Sequence, residues 1–102
     1  MIKRKDKKNG NFTQVDNEYL RRNDLSLRAK GLLTLMLSFP EDWHFRFVEL
    51  KELSTNGTQS TRTAINELRD EGYIHYYKKP KKGGGFSHIY DVYEDFNDNS
   101  YK

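Results

Sequence analysis

An α+β fold, a three-helix core carrying a small antiparallel hairpin, is predicted by three features of this 102-residue chain. The first is a pair of helix-patterned segments, F-V-E-L-K-E-L-S and T-Q-S-T-R-T-A-I-N-E-L-R-D-E, separated by little more than Thr55-Asn56-Gly57. The second is a pair of β-favouring runs, Y-I-H-Y-Y and F-S-H-I-Y-D-V-Y, and the third is the loop K-K-P-K-K-G-G-G between them. Helix, short turn, helix, strand, basic glycine loop and strand, from Phe47 to Glu94, is the element order of a winged helix-turn-helix.

A chain this short forms one domain, because two cores of half the size would bury too little apolar surface. Hydrophobic residues make up 34% of it and aromatic residues 14%, so a small core is filled by large rings. The absence of cysteine excludes disulfide and thiolate chemistry and favours the cytoplasm. No apolar run approaches the roughly 18–20 residues of a membrane span, and the charged start M-I-K-R-K-D-K-K-N-G-N precedes no hydrophobic stretch, unlike a secretory signal. The net charge is only +3, but its distribution divides the chain into three. Residues 1–10 read as a disordered basic arm, 11–94 as the folded domain and 95–102 as a flexible acidic tail.

Within the domain, Phe12-Thr13-Gln14-Val15 alternates as a short extended segment does, and Asp16 or Asn17 caps a turn carrying Tyr19 and Leu20. The first firm helix starts after Ser26 and runs to about Ser38, with Leu25, Ala29, Leu32, Leu33, Leu35 and Met36 forming a broad apolar surface. Gly31 inside it costs about 1 kcal/mol relative to alanine, which suggests a close approach by another element. Phe39-Pro40 ends the helix. Trp43 reads as core or edge packing, and His44-Phe45-Arg46-Phe47 as a short piece adding a third strand to the sheet. Val48–Ser54 is a two-turn helix, and Asn56-Gly57 supplies the sharp turn after it.

The next helix, from about Thr58 to Glu71, carries the most informative chemistry. Thr61, Ala64, Ile65 and Leu68 fall on its packing side, opposite Gln59, Arg62, Thr63, Asn66 and Asp70. Amides pair with adenine, guanidinium with guanine, and hydroxyls with bases or phosphates. Gln59, Ser60, Arg62, Thr63 and Asn66 are therefore the candidate DNA-reading set. Contact should fade after Asn66, since Glu67, Asp70 and Glu71 would repel phosphates. Gly72 suits the helix C-cap. Strands at Tyr73–Tyr77 and Ile89–Tyr93 then flank a tip whose Lys78, Lys79, Lys81 and Lys82 would grip phosphates without reading sequence.

Nothing marks an enzyme, a cofactor site or a metal site. His44, His75 and His88 lack zinc-ligand spacing, and Gly83-Gly84-Gly85 lacks the lysine and hydroxyl residue of a phosphate-binding loop and opens no helix. The expected partner is double-stranded DNA, with no membrane. A homodimer and a host replication protein stand as further partners.

The runs N-F-T-Q-V-D-N-E-Y-L, L-S-L-R-A-K-G-L-L-T-L-M-L-S-F-P-E-D-W, A-I-N-E-L-R-D-E-G-Y-I and G-F-S-H-I-Y-D-V-Y-E resemble the winged-helix domain of small helix-turn-helix proteins from phages and plasmids of Gram-positive bacteria. They are similar, too, to the N-terminal domain of phage replisome organisers. The resemblance covers about residues 11–94 and is most specific in the leucine-alanine-lysine-glycine helix followed by proline, acid and tryptophan. It implies sequence-specific DNA binding in replication initiation or transcriptional regulation, carried by the polar helix positions and the hairpin lysines. It departs from replisome organisers after Glu94, where those proteins continue into a second domain. The alternative function is a winged-helix interaction module that binds a host replication or defence protein.

Overall fold

The computed structural model describes residues 1–3 and 12–101; residues 4–10 of the expected basic arm therefore lie outside the described residues. Four helices and a three-stranded antiparallel sheet follow in the order α1 (Asn17–Leu20), α2 (Leu27–Leu37), β1 (Phe45–Arg46), α3 (Phe47–Glu52), α4 (Thr58–Asp70), β2 (Ile74–Pro80) and β3 (Phe86–Val92). No helix among the described residues is long and apolar enough to cross a membrane.

Phe12–Val15, expected as a short extended segment, forms no strand, and Val15 packs against the core. Asp16 caps α1 by accepting from the Glu18 backbone N–H at 3.0 Å, and this single turn buries Tyr19. The Tyr19 hydroxyl bonds Thr34 Oγ1 at 2.8 Å, and its ring meets Tyr73 edge-on at 6.2 Å. Ser26 caps α2 as expected, its Oγ accepting from the Ala29 N–H at 3.0 Å. Ala29, Leu33 and Met36 then point inward, the i, i+4, i+7 stripe of a core-facing helix. Gly31 is different from the expectation: it is exposed, and a Cβ built on it would meet nothing within 4 Å. No element approaches it closely.

Pro40 ends the helix with a turn in which the Trp43 N–H donates to the Pro40 carbonyl at 3.0 Å. Beyond it Phe45 is buried opposite Tyr90, and Arg46 lies opposite Ile89. The sheet order is β1-β3-β2, which realises the third strand read from His44–Phe47. α3 closes the core with Leu50. α4 starts after Gly57, and all four of its expected packing residues, Thr61, Ala64, Ile65 and Leu68, are buried. It ends in a Schellman turn: Gly72 has φ +89°, its N–H donates to Arg69, and the Tyr73 N–H donates to the Leu68 carbonyl at 2.8 Å. Glycine reaches this left-handed geometry without a Cβ clash.

The hairpin is longer and its tip shorter than the composition implies. β2 and β3 stay in register from Ile74 opposite Val92 to Pro80 opposite Phe86. Only residues 81–85 form the turn, closed by the Lys81 N–H donating to the Gly85 carbonyl at 3.0 Å. Gly83, Gly84 and Gly85 all have positive φ, so this turn is built on glycine.

The segment expected as a flexible acidic tail instead folds back on the body. Phe96 packs edge-on against Tyr73 at 5.8 Å, and Asn99 is buried and donates through Nδ2 to the Gly72 carbonyl at 2.9 Å. Tyr101 stacks on His75 with ring centroids 3.8 Å apart. Its acidity misleads because Asp95 caps a single 3-10 turn, Phe96–Asp98. A second cross-link comes from Arg22, which donates to Asp24, Glu71 and the Tyr73 hydroxyl. These bonds raise the guanidinium further above its ordinary value and hold the Asp24 carboxyl below its own.

Candidate nucleic-acid interface

The buried side of α4 fixes what its other side shows. With Thr61, Ala64, Ile65 and Leu68 inward, a period of 3.6 turns Gln59, Arg62, Thr63 and Asn66 to solvent, and all four are exposed. The Gln59 and Asn66 amides make no hydrogen bond among the described residues and are free to pair with a base edge. The Thr63 hydroxyl donates to the Gln59 carbonyl at 2.9 Å and retains its acceptor lone pairs.

Ser60 departs from this group. It is half-buried, lies 3.4 Å from Asn56 Nδ2, and lines a groove of about 290 Å³ between α2 and α4 with Leu27, Gly31 and Leu50. A one-residue step on a helix is about 100° of rotation, enough to carry it off the exposed face shared by Gln59, Arg62, Thr63 and Asn66.

The two glutamates expected to repel phosphate are engaged elsewhere. Glu67 accepts from both the backbone N–H and the hydroxyl of Ser26 at 2.7 Å, and Glu71 accepts from Arg22 at 3.0 Å. Asp70 alone of the three has no hydrogen-bond or ion-pair partner among the described residues.

Strand alternation distributes the hairpin lysines. Tyr76 pairs with Tyr90 and Lys78 with His88, on the sheet face that turns toward α4. Lys79, next to Lys78, belongs to the opposite face with His75 and Tyr77. Lys81 and Lys82 sit on the tip, so the four lysines occupy three places rather than one loop.

Between α4 and the hairpin lies a trough of cations over rings. The Arg62 guanidinium sits over Phe47 at 4.6 Å, Arg69 over Tyr76 at 4.9 Å, and Lys78 over Phe86 at 5.8 Å. Each ring face attracts the cation above it and holds the side chain extended, for about 0.5–1 kcal/mol at an exposed site. The Tyr76 hydroxyl bonds His88 Nδ1, and burial pushes the Tyr90 phenol above its ordinary value. Where the trough meets the start of β2 it opens into a polar pocket of about 450 Å³ walled by Arg69, Asp70, His75, Asn99 and Tyr101.

Arg69, Tyr76, His88 and Phe47 were not among the DNA-contact residues expected from sequence. Arg69 could have been found, because it stands seven residues after Arg62 and a helix returns to the same side after seven. Tyr76 and His88 needed the strand register. Compared with known proteins, the chain matches no family model, no curated protein and no solved structure.

Proposed function

We propose that this chain is a winged helix-turn-helix protein that binds double-stranded DNA sequence-specifically, in the cytoplasm, as a phage or plasmid protein acting in replication initiation or transcriptional regulation. The observation that carries the reading is the cationic trough between α4 and the β2–β3 hairpin, with Arg62, Arg69 and Lys78 braced on rings beside the free amides of Gln59 and Asn66. In this mechanism the exposed side of α4 from Gln59 to Asn66 enters the major groove. Gln59 and Asn66 offer the donor–acceptor pair that matches adenine N6 and N7, and Thr63 accepts or makes methyl contact. Arg69, Lys78, Lys81 and Lys82 meet phosphates on either side and fix the register. The mobile-element setting rests on the sequence resemblance.

Selection of bound duplexes from a random pool, followed by titration of the recovered site at several salt concentrations, tests this. The expected result is an enriched motif and an affinity that falls steeply with salt, since each neutralised phosphate contributes about 0.9 to the slope of log K against log salt. Recovery of no motif together with salt-independent binding would overturn it. The second reading, an interaction module for a host replication or defence protein, is favoured by one observation: Trp43 stands 43% exposed in a cleft away from the hairpin tip.

A further inference from the structure

We propose that this cleft, at the end of the sheet opposite the wing tip, is a docking site for a segment of a partner protein in which lysine or arginine alternates with apolar residues. The cleft has a volume of about 480 Å³ and is walled by Phe39, Trp43 and Tyr93, with the carboxylates of Glu41, Asp91 and Glu94 around it. Among the described residues, no lysine or arginine lines it. Aromatic faces bounded by acids suit a cation on an apolar stem: the alkyl chain lies on the rings while the charged head reaches the carboxylates.

The walls are braced. Phe39 meets Phe45 edge-on at 5.1 Å and Trp43 at 5.5 Å, and Phe45 is pinned within the sheet opposite Tyr90. The carboxylates differ in what they have left to offer. Asp91 Oδ1 is held by His44 Nδ1 at 2.8 Å, and Glu94 Oε2 accepts from the Asp16 N–H at 2.8 Å, which leaves Glu94 Oε1. Glu41 has no hydrogen-bond or ion-pair partner among the described residues and is exposed. Glu41 and Glu94 are thus the groups that receive the cation, and Asp91 adds its field. A divalent metal would require several converging oxygens, and no such cluster of acids and histidines exists among the described residues.

Placement keeps the site accessible. β3 runs from Phe86 beside the tip to Val92 beside the cleft, a span of roughly 20 Å at about 3.3 Å per residue. A wing on DNA therefore leaves the cleft open, and the inference does not depend on the DNA reading. A second copy of the chain offers a poorer occupant, because its own wing tip follows two lysines with three glycines and brings no side chain to cover the rings.

Trp43 is the only tryptophan in the chain, so its emission reports occupancy directly. The full chain is titrated with an acetylated octapeptide alternating lysine and leucine, and separately with the same peptide carrying glutamate for lysine. The expected result is a saturable change with the first and none with the second. The double variant Glu41→Gln, Glu94→Gln, whose amide at position 94 still accepts from Asp16, should bind at least tenfold more weakly. A variant with alanine at Lys78, Lys79, Lys81 and Lys82 should bind the peptide like the parent, which separates this site from the DNA surface. An equal response to both peptides, or unchanged affinity in the double variant with an intact circular dichroism spectrum, would overturn the proposal. So would a Trp43 shift on concentrating the protein alone, which would give the cleft to a second copy.

Discussion

Glu67 joins two helices through one side chain. Its carboxylate accepts from the N–H and hydroxyl of Ser26, while the same hydroxyl caps α2. Removing it leaves two donors to find water and loosens a cap, so Glu67→Ala should lower unfolding stability by about 1–3 kcal/mol with little change in DNA affinity. A chemical melt and a band shift on the same sample measure both. From sequence this residue read as an acid facing away from DNA; its partner lies 41 residues distant, a separation to which helix periodicity is blind. Gly31 is the complementary case. Its cost inside a helix was legible, but the inferred close contact was not there. Gly31→Ala should therefore stabilise the fold by about 0.4–1 kcal/mol, seen as a raised melting temperature. For the reading face, Asn66→Ala should reduce discrimination between cognate and mutated sites by about 1–3 kcal/mol, measured as a ratio of dissociation constants. Equal loss on both DNAs would make Asn66 a backbone contact.

At the scale of elements, local signals located most of what is regular. Ser26, Pro40, Gly57 and Gly72 punctuate the helices where the structure ends or begins them, because caps and breakers act within a few residues. The hairpin was less legible. Lys78, Lys79 and Pro80 are poor strand formers, yet pairing with His88, Ser87 and Phe86 carries the strand through them. Cross-strand partners decide strand ends, and those partners lie beyond the tip. This lengthened hairpin projects Lys81 and Lys82 further from the body than a loop starting at Lys78 would. Replacing all four lysines by alanine should then flatten the slope of log K against log salt by up to about 3–4, while the selected motif stays the same. The measurement is affinity for one site at several salt concentrations, and a changed motif would show that the wing reads bases.

The whole molecule is held together by tyrosines that bridge segments distant in sequence, and this makes it sensitive to alkali. Tyr19 ties α1 to α2 and meets Tyr73. Tyr90 lies buried between the sheet and α4, and the C-terminal segment returns to this region through Phe96, Asn99 and Tyr101. That return could not be read from an acidic terminal sequence, since its contacts depend on where Gly72 and His75 end up in space. Burial raises the phenol pKa of Tyr19 and Tyr90 above the ordinary value, and Tyr77 and Tyr93 shift in the same direction from desolvation, reinforced by the negative charge of Asp91. In the unfolded chain these phenols lose their protons near pH 10. The fold therefore retains protons that the unfolded chain releases, and the stability this represents is fully present below pH 10 and is lost as pH rises through the raised folded values. The urea midpoint should hold between about pH 8 and 9 and fall above about pH 10. Tyr90→Phe keeps the ring against Tyr76 and removes one ionisable hydroxyl, so its midpoint should fall less steeply over the same interval. Parallel curves for parent and variant would mean that the alkaline loss comes from other groups and that Tyr90 contributes through its ring alone.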